Sequence, residues 1–347
     1  MISPDLPASL RSVLEQRAHG LPRSGVAARA AAISQTYRGG GNSGAIRDDD
    51  DALAYAVARM PATYAAVVAC LNALSAARAD FRPDTLLDVG AGPGTATWAT
   101  RAAWPSLQRL TLLDANPALR RLALTLAAEY ASGIRLEYQQ ADARSSIATM
   151  APADLVIASY VIGELDEGER AAFADALWRK TQDTLLVVEP GTPAGYARII
   201  ALRARLIAQG AHVIAPCPHD AACPLAAFPN EATTASPQET AARQNGTTDW
   251  CHFAQRLPRS KMHKQIKGAE LPFEDEKFSY VVLGREPVAP RLARVLAPPL
   301  VTKAEMCLKL CQPDGHAAVT SFPKRDKAAY ARLRRLGWGD TVPPAEM

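Results

Sequence analysis

The chain has 347 residues, of which 48% are hydrophobic and 21% charged, and its formal net charge is +4. This length suits one large domain with additions or two domains, and the composition is ordinary for a globular protein. No uncharged apolar run of about 18 residues occurs, which predicts that the chain neither spans nor binds a membrane. The first residues lack a basic, apolar or acid-poor leader, so we expect no signal or transit peptide and a cytoplasmic location.

Residues 1–80 are predicted to form a helical region that caps the domain behind it. The stretch from Ala52 to Ala77 is rich in good helix formers, and Pro61 is expected in a first turn or at a break. The glycine-rich stretch at residues 39–44 is expected to interrupt these helices. The sequence indicates no chemistry in this region.

Residues 81–285 change in character, because short apolar segments alternate with helical ones from Thr85 onward. This pattern predicts a mostly parallel sheet with helices on both faces, an α/β Rossmann-like core. The strands are predicted, in chain order, at Thr85–Val89, Leu110–Asp114, Ile134–Tyr138, Asp154–Ser159, Thr184–Glu189, Ala211–Ala215 and Phe278–Leu283. A cysteine-rich insertion is predicted at about residues 216–276, between the last two strands.

Residues 286–347 are predicted to form a small basic extension, with a hairpin around Pro313–Gly315 followed by a helix. Two segments are strongly basic. Residues 256–267 carry five Lys/Arg and no acid, and residues 324–335 carry six and one acid. Such one-sided charge suits a polyanion such as RNA, and a solvated helix face is the alternative.

The first predicted strand runs into the turn D-V-G-A-G-P-G, and such a turn lets the backbone approach a ligand closely. A dinucleotide fold and a core without a ligand are the alternatives. The acid before the first glycine, the G-x-G-x-G spacing and an acid ending the second strand favour S-adenosylmethionine and a class I methyltransferase fold. An acid after the third strand stands where such folds contact adenine. The candidate cofactor residues are Asp88, Gly90, Gly92, Gly94, Asp114 and Asp142.

No catalytic residue is assigned. The fourth strand is followed by Tyr160 and Glu164 rather than by the N/D-P-P-Y motif of amino-methylating enzymes. These two side chains either face the methyl group or only seal the pocket. Pro216 and Cys217 resemble the Pro-Cys of cytosine C5 enzymes, whose thiolate attacks the base, but Cys217 has a better use.

Five of the six cysteines follow residue 216, which points to a metal or cluster site in a chain expected to form no disulfides. Four thiolates from separated loops fit either a [4Fe–4S] cluster or a tetrahedral zinc, and unrelated buried thiols are the third possibility. Cys307 competes with Cys311 as a ligand, and Cys70 is expected to be a core thiol. The candidate ligands are Cys217, Cys223, Cys251 and Cys311.

Several motifs resemble the family of methyltransferase-like protein 17, mitochondrial small-ribosomal-subunit assembly proteins with bacterial relatives. The matching segments are A-P-C-P-H-x-x-x-C-P, D-W-C-H-F, E-D-E-K-F-S-Y, C-x-P-D-G-H, W-G-D and V-E-P-G-T-P, together with the glycine turn. The resemblance covers roughly residues 50–340. It implies a [4Fe–4S] cluster on the four candidate ligands, with Cys311 rather than Cys307 in register, and it favours the cluster over zinc.

The resemblance also implies binding to the small ribosomal subunit and its rRNA during assembly or early translation. We expect a monomer that docks on rRNA, with residues 256–267 anchored by Cys251 and directed at phosphates. A catalytically active rRNA methyltransferase is the first alternative. A small-molecule methyltransferase with a structural zinc is the second, and the basic segments argue against it.

Overall fold

The computed structural model describes residues 1–130, 135–226 and 249–343. Its N-terminal part is helical, as predicted, and the helices are α1 (Ala8–His19), α2 (Arg23–Arg38) and α3 (Asp49–Ala77). Pro61 lies inside α3, so the expectation of a break or first turn at this residue is wrong. A proline costs the helix one hydrogen bond, and the packing of α3 against α1, α2, α4 and α5 offsets that loss.

Helix α3 is the one helix of the described chain that is long and apolar enough to cross a membrane. However, 17 of its 29 residues are buried within the fold. Its apolar surface is therefore satisfied by protein contacts, as in the core helix of a globular domain.

The main sheet has the order β3-β2-β1-β4-β5-β8-β6, and β7 pairs with the first half of β8. Strands β1 to β5 are parallel, and β8 is antiparallel to β5, β6 and β7. This topology is the class I methyltransferase fold and confirms the predicted fold class. The strands are β1 (Thr85–Val89), β2 (Arg109–Asp114), β3 (Arg135–Gln140), β4 (Ala153–Ser159), β5 (Thr181–Pro190), β6 (His212–Ala215), β7 (Phe253–Pro258) and β8 (Phe273–Gly284).

Helices cover both faces of this sheet. Because strand side chains alternate between faces, Leu86 packs in the cluster that includes α3, α4 and α5, whereas Leu87 packs in the cluster that includes α7 and α8. Ile134, predicted to begin the third strand, lies outside the described residues. The helices that follow α3 are α4 (Thr95–Ala103), α5 (Pro117–Tyr130), α6 (Ala143–Ser146), α7 (Glu167–Lys180), α8 (Pro193–Ile207) and α9 (Lys261–Lys267).

A second, four-stranded sheet follows the core. It contains β9 (Arg294–Val295), β10 (Leu300–Val301), β11 (Glu305–Cys311) and β12 (Ala317–Pro323), and helix α10 (Lys327–Leu333) comes after it. Strands β11 and β12 are antiparallel, and the turn between them contains Gly315 at φ +90°. The hairpin and the helix predicted here are thus confirmed.

Candidate functional site

The glycine turn follows β1 at the carboxyl edge of the parallel strands. Gly90, Gly92 and Gly94 have φ values of 71°, 54° and 81°, in the left-handed region that favours glycine. A Cβ on Gly90 would lie 2.5 Å from Cγ2 of Val161, so no larger residue fits without movement. The backbone N–H of Gly92 donates to Oδ2 of Asp114 at 2.9 Å, which closes the turn onto the end of β2.

Asp88 is fully buried beneath this turn. Its Oδ2 accepts hydrogen bonds from the backbone N–H of Thr97 at 3.0 Å and from the Thr97 hydroxyl at 2.7 Å, which fixes the start of α4. Among the described residues, its Oδ1 has no hydrogen-bond partner. Burial raises the pKa of Asp88 to about 7. One carboxylate oxygen thus holds the start of α4, and the other is a buried acceptor that lacks a donor among the described residues.

Asp114 is also buried, and burial raises its pKa. Its Oδ1 accepts a hydrogen bond from the backbone N–H of Asn116 at 2.8 Å. A carboxylate oxygen has a second lone-pair site, so both oxygens retain acceptor capacity for ligand hydroxyls. The Tyr138 hydroxyl donates to the carbonyl of Gly92 at 2.9 Å and supports the turn from β3.

Asp142 lies just before α6, on the loop after β3. Its Oδ1 accepts from the backbone N–H of Arg144 at 2.8 Å, and its Oδ2 pairs with Nη2 of Arg144 at 2.8 Å. The Arg144 guanidinium lowers the pKa of Asp142. The carboxylate is therefore ionised and caps the helix, a role that the sequence did not indicate.

An N-terminal segment, residues 43–46, covers this edge of the sheet. The Asn116 side chain donates to the carbonyls of Ser43 and Ile46, both at 2.8 Å. The backbone N–H of Ser43 donates to Oε2 of Glu164 at 3.4 Å. Since Asn116 follows β2 and Glu164 follows β4, the segment passes over the end of β1, which lies between them. Sequence reasoning missed this cover.

Tyr160 and Glu164 contact neighbouring elements of the fold. Tyr160 has φ 60°, and its hydroxyl donates to Oε1 of Glu276 at 3.1 Å. Arg59 pairs with the same carboxylate oxygen at 3.1 Å. Burial raises the pKa of Glu164 to about 7. Tyr160 thus ties this edge of the sheet to β8, and Glu164 ties it to the N-terminal segment.

The four candidate cysteine ligands line one cavity. They come from three parts of the chain, namely the loop after β6, the residues before β7 and the end of β11. Cys307 lies earlier on β11, where its Sγ is 3.2 Å from the Ser321 hydroxyl. Cys70 is buried in the core on α3, as expected. The candidate ligands that line the cavity are Cys217, Cys223, Cys251 and Cys311.

Two arginines lie near the candidate ligands, since Arg294 lines the cavity and Arg203 interacts with the thiol of Cys217. Arg203 is 2% exposed, donates to the carbonyl of His219 at 2.7 Å and has no partner for its Nε among the described residues. Arg294 donates to the carbonyls of Pro216 at 2.9 Å and Gly339 at 2.8 Å. The positive charges of Arg203 and Arg294 favour the thiolate form of Cys217 and Cys311 and so oppose the effect of burial on their pKa values.

Burial and the neighbouring thiols raise the pKa values of Cys217, Cys251 and Cys311, which favours the protonated form of these three side chains. Burial raises the pKa of Cys311 to about 12, with further contributions from Cys217 and Cys223. It also raises the pKa of Cys251 well above its ordinary value. A metal cation reverses this balance because it binds the thiolate form.

Two side chains contact the sulfur atoms from outside. Nε2 of His219 lies 3.3 Å from Sγ of Cys311, and the hydroxyl of Tyr196 lies 3.2 Å from Sγ of Cys223. Such contacts orient ligands and adjust their electron density. Within the described ranges, no group of three or more His, Cys, Asp or Glu is arranged to hold a single metal ion.

The first basic segment, residues 256–267, is largely neutralised by β8. Arg256 makes two hydrogen bonds to Asp275, at 2.7 and 2.8 Å. Arg259 pairs with Glu274 at 3.1 Å, and Lys267 pairs with the same carboxylate. Three of its five cations therefore have acidic partners, which reduces the positive charge that this segment presents to a polyanion.

Comparison with known proteins places this chain in a family. The family profile described as "Mitochondrial small ribosomal subunit Rsm22" matches residues 49–343. The human "Ribosome assembly protein METTL17, mitochondrial" is 29% identical over 316 residues, which are 84% of this chain and 62% of that protein. The "Rsm22-cox11 tandem protein 2, mitochondrial" of Schizosaccharomyces pombe is 24% identical over 332 residues, 85% of this chain and 43% of that protein. The chain thus spans less than two thirds of either relative.

Solved methyltransferase structures overlap the core only loosely. A putative RNA methyltransferase from Pyrococcus horikoshii is 10% identical, covers 63% of this chain and 84% of its own, and has a TM-score of 0.39. The magnesium protoporphyrin IX methyltransferase of Synechocystis, with bound S-adenosylmethionine, is 13% identical, covers 65% and 80%, and also has a TM-score of 0.39. The fold class rests on the strand order and not on these overlaps.

The family description and both relatives are mitochondrial, which contradicts the sequence-based expectation of a cytoplasmic location. The resemblance noted in the cysteine motifs is confirmed, because the profile covers most of the chain. This protein belongs to the Rsm22 family, described as that of the mitochondrial small ribosomal subunit.

Proposed function

We propose that this protein binds S-adenosylmethionine at its glycine turn, holds a [4Fe–4S] cluster on four cysteines, and acts as a monomer on the small ribosomal subunit and its rRNA in assembly or translation. One observation carries the proposal. Three distant parts of the chain bring Cys217, Cys223, Cys251 and Cys311 to one cavity. They do so beside a methyltransferase core, in a member of a ribosomal family.

The cofactor site offers matched partners to both ends of S-adenosylmethionine. The unpartnered Oδ1 of Asp88 suits the ammonium group of the methionine end. The carboxylate of Asp114 suits the two ribose hydroxyls, and the glycine turn gives the ligand close access to the backbone. Asp142 is proposed to lie at the adenine, sharing its charge with Arg144. The cofactor would supply an activated methyl group.

The resemblance of the cysteine motifs favours a cluster over zinc. Either group binds four thiolates, a zinc ion at about 2.3 Å from one atom and a cubane with each thiolate on a different iron. Four thiols line a shared cavity and supply that donor set. Arg203 and Arg294 would offset the net negative charge of the ligated cluster. When bound, the cluster would join the insertion to the second sheet.

The ribosomal part of the proposal is supported by the family and by the name of the human relative, a ribosome assembly protein. It is tested by sedimenting tagged protein from cell extract through a sucrose gradient. We expect it with small subunits and their precursors. Its absence from these fractions at low salt would remove the ribosomal role.

Catalytic rRNA methylation is the second candidate, and two observations favour it. Tyr160 holds a left-handed backbone directly after β4, a conformation that clusters at functional sites, and Glu164 has a pKa of about 7 at the same edge. Mapping rRNA methylation in a deletion strain separates the two candidates. A methyl group that is lost with the gene and restored by wild-type protein establishes the enzyme.

A further inference from the structure

The second basic segment keeps its charges free, unlike the first. Among the described residues, no acid forms an ion pair with any cation of residues 324–335. Five of its six cations are exposed, and the sixth, Lys324, lies 5.5 Å above the ring of Tyr330. These five form what we call the C-terminal cationic surface: Arg325, Lys327, Arg332, Arg334 and Arg335.

Helix α10 displays this surface because its other side is buried. Leu333 is fully buried in the core of the second sheet, and Tyr330 packs against that core. Asp326 is the only acid among residues 324–335, and its Oδ1 accepts from the backbone N–H of Ala329 at 3.0 Å. The one negative group is thus engaged in capping the helix, and the exposed side remains positive.

The segment is fixed at both ends to the cysteine site. On one side, β12 pairs along the length of β11, which ends at Cys311. On the other, the ring of Trp338 meets that of His252 at 4.8 Å, next to Cys251, and Gly339 accepts a hydrogen bond from Arg294. The cations are therefore held in place relative to the core and do not lie on a loose tail.

We propose that the C-terminal cationic surface, and not residues 256–267, is the main contact with the phosphates of small-subunit rRNA. This inference rests on the proposed function and assigns its partner to one surface. A free cation that neutralises a phosphate releases condensed counterions. A cation that already pairs with Asp275 or Glu274 must first lose that partner, so it contributes less.

The test compares two triple variants that each remove three positive charges. The first is Arg325→Gln, Arg332→Gln and Arg335→Gln. The matched control is Arg17→Gln, Arg205→Gln and Arg256→Gln, three exposed arginines that pair with Glu129, Asp175 and Asp275. Binding to an in vitro transcript of small-subunit rRNA is measured by filter retention across a salt series. A Lys version of the first variant, which keeps the charge, completes the set.

We expect the first variant to flatten the slope of log affinity against log salt by about two to three. Its affinity should fall on the order of 100-fold near physiological salt. The control and the Lys version should stay within about threefold of wild type. Circular dichroism and S-adenosylmethionine calorimetry verify that all the variants fold.

The inference is overturned if the control loses as much affinity as the first variant, or if the first variant binds like wild type. In both cases, the proposed function stands if the wild-type protein binds the transcript in a salt-dependent way. If the wild-type protein binds neither the transcript nor small subunits, the inference and the proposed function are both overturned. Equal binding of wild type to polyglutamate would assign the surface to an acidic protein instead of RNA.

Discussion

Replacing Asp88 by Asn tests whether its buried carboxylate is reserved for a cationic ligand. In the cofactor-free protein, burial moves the pKa of Asp88 from its ordinary 3.8 to about 7. The folded state then holds its proton more tightly than the unfolded state, so stability is fully present below pH 4 and is lost as pH rises to about 7. The complete shift corresponds to about 4 kcal/mol.

Asn can still accept the hydrogen bonds from Thr97, but it does not titrate. Between pH 5 and pH 8, the free energy of unfolding of wild type should therefore fall by about 2.6 kcal/mol relative to the variant. Urea unfolding of both proteins without cofactor measures this difference. Glu164 also titrates near pH 7, and taking the difference between the two proteins cancels its contribution.

The same variant should bind S-adenosylmethionine at least 10-fold more weakly, because an amide does not pair with an ammonium group as a carboxylate does. Calorimetry at pH 8 gives this affinity. If the free energies of unfolding of the two proteins change with pH in the same way, Asp88 is already ionised in the folded protein and burial does not raise its pKa. Unchanged cofactor affinity would show that its free oxygen faces no ligand.

Three further substitutions have expected outcomes. Anaerobically purified wild-type protein should contain about four irons and four labile sulfides per chain; Cys251→Ser should lose them, whereas Cys70→Ser should retain them. Stoichiometric zinc without iron in the wild-type protein would contradict the cluster. Asp114→Ala should weaken S-adenosylmethionine binding by more than about 100-fold in calorimetry and lower the melting temperature, since ribose and Gly92 both lose an acceptor. Gly90→Ala should cost about 2–3 kcal/mol in urea unfolding, through its positive φ and the overlap with Val161; a cost near zero would mean the turn can relax.

The core strands could be predicted because both faces of the sheet are buried, which leaves continuous apolar segments such as Thr85–Val89. Strand β7 gives a weaker signal. Only Phe253 and Leu257 are buried in it, and Ala254, Gln255 and Arg256 separate them. Its pairing with β8 decides its conformation, and no local pattern shows that pairing.

The glycine turn is local in sequence, so its residues could be named in advance. The N-terminal segment that covers the turn could not be predicted, because the backbone N–H of Ser43 donates to the carboxylate of Glu164, 121 positions away. The same limit applies to charge. A run of cations shows its composition in the sequence, but only the fold shows that Arg256 and Arg259 face acids on β8. The cysteine spacing likewise left the choice between a cluster and zinc open. Which cysteines meet at one cavity is a tertiary property that spacing in the sequence does not show.

Strand β8 connects the two candidate sites. Glu276, only 8% exposed, accepts hydrogen bonds from Arg59 and from Tyr160 at the cofactor edge. Three residues further along, the Ser279 hydroxyl donates to the carbonyl of Cys251 at 2.9 Å. One strand thus positions Tyr160 at the candidate cofactor edge and the backbone of Cys251, a candidate ligand. Because β8 is hydrogen-bonded to β5, β6 and β7, it fixes the candidate cysteine site relative to the parallel strands of the core.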